Sequence, residues 1–107
     1  MKLLTKAILA KLPALYMTDK VEAEDKIVVL KLFGGSNSTW LIVEGQQDFD
    51  GGKDDFRFYG FCAPMGMADG EWGYVQLSEL TSIKFQPFGL PIERDMHFKP
   101  TRFGDIK

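Results

Sequence analysis

The sequence predicts an α+β fold: an antiparallel meander sheet of about five to six strands with an N-terminal helix packed on it. Three observations predict it. Short β-rich runs succeed one another from Ile27 onward, punctuated by turn residues. The one helical period lies at the start of the chain, where Leu4, Ala7, Ile8, Lys11, Leu12 and Leu15 share a face. No strand–helix–strand alternation occurs, so a doubly wound nucleotide-binding sheet is not expected. The 107 residues fit a single domain, 1–107. Nine Phe residues suggest an aromatic-filled core.

The elements follow in order. The N-terminal helix should end or kink at Pro13, which disfavours helical geometry in the residue before it. Its basic face, with Lys2 and Lys6, reads first as a solvated face. After a polar connection over residues 18–25, Ile27 to Phe33 reads as one strand. Gly34 to Ser38 is a turn, and Thr39 to Glu44 completes a hairpin. A loop over 48–55 leads to a third strand, Phe56 to Ala63. A Gly- and Met-rich loop over 64–70 leads to a fourth, Trp72 to Gln76. Ser78 is expected to cap one helical turn at Glu79-Leu80. Ile83 to Phe85 reads as a short fifth strand. Residues 92–98 alternate, with Ile92, Arg94, Met96 and Phe98 toward the sheet and Glu93, Asp95 and His97 away from it. Arg94 then needs a carboxylate, and Glu44, Glu71 and Glu79 are the candidates.

Charge is unevenly spread. The chain carries a net −2, but residues 35–80 hold eight acids against Lys53 and Arg57, while both terminal thirds are net positive. A whole-chain basic footprint for nucleic acid is absent. Binding through the two basic terminal segments requires the fold to bring them side by side. Met1-Lys2-Leu3-Leu4 opens like a signal peptide, but Lys6 and Lys11 interrupt the apolar run. No membrane span is expected. The lone Cys62 leaves no intrachain disulfide and favours a reducing, cytoplasmic setting.

Candidate chemistry concentrates near the end, where Glu93, Arg94, Asp95, His97 and Lys99 fall within seven residues. On a strand, Glu93 and Asp95 would lie roughly 6–7 Å apart, a spacing open to acid–base or metal work. The competing reading is an ion-paired network that fixes the last strand. Asp48, Asp50 and Asp54, with Asp55, superficially suggest a calcium loop, but the glycine and terminal glutamate of an EF-hand are misplaced. A solvated turn is the stronger reading, and no cofactor is expected. Cys62 and His97 can be written as a nucleophile–base pair, yet position 62 lies in an apolar run that favours an inert buried thiol.

Several stretches together carry a family resemblance. They are Leu3-Leu4-Thr5-Lys6, Leu12-Pro13-x-Leu15-Tyr16, Thr39-Trp40, Glu71-x-Gly73-Tyr74, Leu77-Ser78-Glu79-Leu80 and Gly89-Leu90-Pro91-Ile92-Glu93-Arg94-Asp95 with Phe98-Lys99-Pro100. In order and spacing the chain resembles the small bacterial proteins classed as domain of unknown function 2958 (DUF2958). The resemblance implies a setting in plasmids, integrative elements and phages, and it implies no reaction and no catalytic residues. It also implies Leu then Tyr where this chain has Met96 and His97, which weakens any mechanism that depends on the histidine.

The expectation is therefore a small non-enzymatic binding or regulatory module of a bacterial mobile element. It would act on a protein partner, with counter-defence through an acidic surface as one form of that role. Glu71, Glu93, Arg94 and Asp95 are its candidate binding residues. The alternative is a small hydrolase or metal-dependent enzyme using Glu93, Asp95 and His97. A second alternative is nucleic-acid binding through the basic termini.

Overall fold

The run Trp40-Leu41-Ile42-Val43 is apolar at every position, which a strand buried on both faces requires. The computed structural model, which describes residues 2–47 and 55–106, buries all four. They belong to β3 (Ser38–Gln47), the middle strand of a five-stranded antiparallel sheet. Its other members are β2 (Leu30–Gly34), β4 (Phe56–Ala63), β5 (Glu71–Gln76) and β8 (Glu93–Arg94). The spatial order is β5-β4-β3-β2-β8. Four strands form the predicted meander. The chain then returns from the β5 edge to place β8 beside β2.

Each face has its own cover. On one, Leu30, Leu32, Trp40, Ile42, Phe58 and Ile92 pack beneath Leu3 and Leu80, joined by Ile8 and Leu12 of α1 (Lys6–Lys11). The same layer includes α2 (Leu77–Ser82). On the other face, Val28, Leu41 and Val43 pack with Tyr59, Phe61, Trp72, Phe98, Phe103 and Ile106, so the C-terminal segment closes that side. There β1 (Ile27–Val28) pairs with β9 (Thr101–Arg102). Arg102 locks the pairing: Nη1 donates to Asp25 Oδ1 at 2.9 Å and Nη2 to Asp105 Oδ1 at 3.2 Å.

Local chemistry explains where elements begin and stop. The Thr5 hydroxyl accepts the Ile8 N–H at the start of α1, and Leu12 is already extended because Pro13 follows. α2 is capped differently from the expectation. Gln76 is its N-cap, Glu79 Oε1 accepts the Gln76 N–H at 3.1 Å, and Ser78 lies inside the helix. Ser78 is engaged by Asp55, whose carboxylate accepts its N–H at 3.0 Å and its hydroxyl at 2.8 Å.

Three further expectations are corrected. The run Ile27–Phe33 is two strands, because β9 claims Ile27 and Val28 while Leu30 onward pairs with β3. The strand at Ile83–Phe85 is β6 (Lys84–Phe85), which leaves the main sheet to pair with β7 (Leu90–Pro91). The alternating strand over 92–98 lasts only for Glu93 and Arg94. Asp95 Oδ1 accepts the His97 N–H at 3.0 Å and turns the chain, so Met96 swings out to solvent instead of facing the sheet. Ile92 and Arg94 do share the helix-side face, as Arg94 stands opposite buried Leu32.

Candidate functional site

A single extra residue in β3 creates the most unusual polar site. In strict alternation Trp40, Ile42 and Glu44 would share the helix-side face, driving a carboxylate into the apolar core. The β3–β4 register instead shifts between Ile42 and Glu44, leaving Val43 as a bulge, and Glu44 pairs with Tyr59. A one-residue slip moves a side chain to the opposite face. Gly60 permits the contact. A Cβ at that position would lie 2.1 Å from the Leu41 carbonyl oxygen and 2.9 Å from Ile42 Cα.

Glu44 is nonetheless only 2% exposed. The segment after Pro13 satisfies it. Gly45 N–H donates to Pro13 O and Leu15 N–H to Gln46 Oε1, laying residues 13–18 along the end of β3. Tyr16 N–H then donates to Glu44 Oε1 at 2.8 Å, and Thr18 N–H to Oε2 at 3.1 Å. The Thr18 hydroxyl also donates to Oε2. That same hydroxyl accepts from Lys26 Nζ at 2.9 Å, so a buried cation offsets the buried anion through one shared oxygen. Tyr16 adopts φ = 72°, an outlier for an aromatic residue, and the Glu44 clamp holds it there.

The strain aims a ring outward. Tyr16 and Tyr74 are each more than half exposed, and their ring centroids lie 6.2 Å apart. Tyr74 lies 4.9 Å from Tyr59, and Tyr59 stacks on Trp72 at 5.8 Å. The row continues inward through Trp72 and Phe61 to Phe103. Burial first, then the charges of Glu44 and Asp19, push the Tyr59 phenol above its ordinary range. Partial burial, then a hydrogen bond with Tyr16, does the same to Tyr74. Trp72 and Tyr74 sit on β5, which is an outer strand of the sheet.

The residues singled out from sequence fall elsewhere. Glu93, Arg94, Asp95 and His97 follow one another along β8 and its turn, beside an open hollow. Glu93 and His97 are exposed, and Asp95 spends one oxygen on its turn while the other lies 4.0 Å from Lys31 Nζ. Glu71 sits on β5, at the opposite edge from β8, four strand spacings or roughly 19 Å away. β2 and β3 separate β8 from Cys62 on β4. Burial, then the nearby Glu79 charge, pushes the Cys62 thiol up, as its inert reading requires. Of the carboxylates proposed for Arg94, Glu44 is held by residues 16–18 and Glu79 closes its capping box.

Asp48, Asp50 and Asp54 lie outside the described residues. Among the described residues no three His, Cys, Asp or Glu side chains gather as a metal would need. The acidic stretch is also less of a surface than its sequence suggests, since Glu44 and Asp55 are buried and hydrogen-bonded. The sequence offers Glu44 only as a partner for Arg94, because its actual donors are the Tyr16 and Thr18 backbone groups, 28 and 26 residues away. The Glu at the end of an apolar strand was the only local signal.

The family model described as protein of unknown function (DUF2958) matches residues 3–103. The chain belongs to this family. No curated protein and no solved structure matches it. The DUF2958 match spans both the Tyr16–Thr18 clamp and the β5 edge, and it includes β8 and its turn. No described helix is long and apolar enough to cross a membrane.

Proposed function

We propose that this DUF2958 protein is a non-enzymatic binding module that takes an extended, basic segment of a protein partner along the β5 edge. The observation that carries the reading is the pair Tyr16–Tyr74, two exposed rings held over a preformed carboxylate clamp beside an outer strand. An edge strand offers a row of backbone donors and acceptors to an added strand. Aromatic rings supply contact area at low entropic cost and attract cationic side chains to their faces. Asp19 lies close enough to act on the Tyr59 phenol, and exposed Glu71 and Asp69 flank the strand's start, so the field there favours a basic partner. The bacterial mobile-element setting and the cytoplasm belong to the same proposal and rest on the family resemblance and the single cysteine.

A photo-crosslinking residue placed at Tyr74, with a second at Glu93 on the opposite edge as control, tests this in the native host. One protein should be captured from position 74 and not from 93. Raised salt and Tyr16→Ala should both reduce the capture. No capture at 74, or the same capture from 93, overturns the reading.

The hydrolase or metal-enzyme alternative places its groups on the β8 turn. Asp95 there already serves the turn and Lys31, which favours the binding module.

A further inference from the structure

Two hollows open side by side where α1 ends. The first, about 240 Å³, lies between α1 and the chain after β8, with Lys11, Lys31, Arg94 and Asp95 in its lining. Asp95 is offset by Lys31 at 4.0 Å, and exposed Lys11 makes the balance of charge there positive. The second, about 470 Å³, is lined by Pro13, Val21, Ile27, Val29 and Val43. Lys11, Val29 and Pro100 border both hollows, so the two lie next to each other with Lys11 on their shared rim.

The polar groups at the apolar end are committed within the fold. Lys26 Nζ donates to the Thr18 carbonyl and hydroxyl, and Asp25 Oδ1 accepts from Arg102. No aromatic ring among the described residues lines that end, so a base or aryl group has no face to stack on. What remains is aliphatic surface leading to a cationic hollow. Pockets of this size bind ligands whose apolar body matches the lining and whose few polar groups meet fixed partners.

We infer that the two hollows together form a groove that binds a soluble aliphatic carboxylate. Its hydrocarbon chain lies on Pro13, Val21 and Ile27, and its anionic head reaches Lys11 and the hollow beyond. The fold thus brings the basic N-terminal helix beside the basic C-terminal segment, but around a groove shaped for a small amphipathic anion.

Titration of the full chain with decanoate, below the concentration at which it aggregates, tests the inference, with the methyl signals of Val21, Ile27, Val29 and Val43 followed by NMR. One saturable site should appear, those methyls should shift, and the neutral analogue decanol should bind about tenfold more weakly. Lys11→Glu, at an exposed position, should weaken decanoate binding by roughly tenfold while Lys11→Arg preserves it. Val21→Trp, which fills the apolar end from a partly exposed position, should block binding with the fold intact. Absence of saturable binding, equal affinity for decanol and decanoate, or methyl shifts confined elsewhere overturns the inference. So does binding only to phosphatidylglycerol vesicles, or salt-sensitive binding of an oligonucleotide without a decanoate site.

Discussion

Glu44 stands opposite Tyr59 because Val43 is one residue too many for its strand. The bulge takes a carboxylate out of the helix-side core and delivers it to the backbone donors of Tyr16 and Thr18. The clamp and the outward aim of Tyr16 follow from that one insertion, while the ring row they join is set by the unbroken β4–β5 register.

Glu44→Gln should destabilise the protein by about 2–3 kcal/mol, because an amide offers one acceptor oxygen where the carboxylate offers two and turns an NH₂ toward existing donors. Urea unfolding followed by fluorescence measures it. A loss below about 0.5 kcal/mol would mean the donors find other partners.

Gly60→Ala should cost about 3 kcal/mol, since its Cβ would meet backbone on the neighbouring strand rather than a side chain able to move. Gly73→Ala on β5, with nothing within 4 Å of its Cβ, is the matched control and should be far milder. The contrast in denaturation midpoints is the readout.

Stability should fall in acid partly through Asp55. Burial raises its carboxyl, but bonds from Ser78, Phe56 and Gln76 outweigh that and hold it below the ordinary range. A depressed carboxylate contributes stability that is present above its unfolded-state value, about pH 4, and lost as pH falls through its folded value. Asp55→Asn should lower stability at neutral pH and flatten the profile below about pH 4. Denaturation midpoints between neutral and strongly acid pH measure both effects.

Ultraviolet titration should show Tyr59 and Tyr74 ionising above the ordinary phenol range. Tyr16→Phe removes the hydrogen bond to Tyr74 and should move that phenol part of the way back, with burial still holding it up. A Tyr74 transition unchanged in Tyr16→Phe would mean the two hydroxyls do not couple.

The β8 turn separates structural from chemical roles. The pair Glu93→Gln and His97→Asn should leave stability within about 0.5 kcal/mol, because both side chains are exposed. Asp95→Ala should cost about 1 kcal/mol through its turn and its contact with Lys31. Thermal unfolding of the variants ranks them.

Much of the sheet was legible in the sequence because turn residues mark its strand ends. The third strand, Phe56 to Ala63, matches at both ends. Less legible was anything set by pairing at a distance. Trp40 to Val43 is apolar throughout, so no alternation in the sequence marks the bulge. Residues 92–98 do alternate, yet the Asp95 side chain closes a turn on His97 N–H and ends the strand early. Hydropathy does not report a competing side-chain bond of this kind. The Glu44 clamp joins residues 16–18 to residue 44, a relation no local window contains.

The clamp also sets a threshold for local opening. Residues 13–18 hold on to the end of β3 through Gly45, Gln46 and Glu44, and they take no part in the five-stranded ladder. They can lift away without parting a strand, as a cooperative unit smaller than the whole fold. Pro13 and Thr18 belong to this unit and also form part of the groove wall. Hydrogen exchange at the Tyr16 and Thr18 amides would then count the moments when that wall is down, and Glu44, though absent from the groove, would govern how often a ligand can enter or leave.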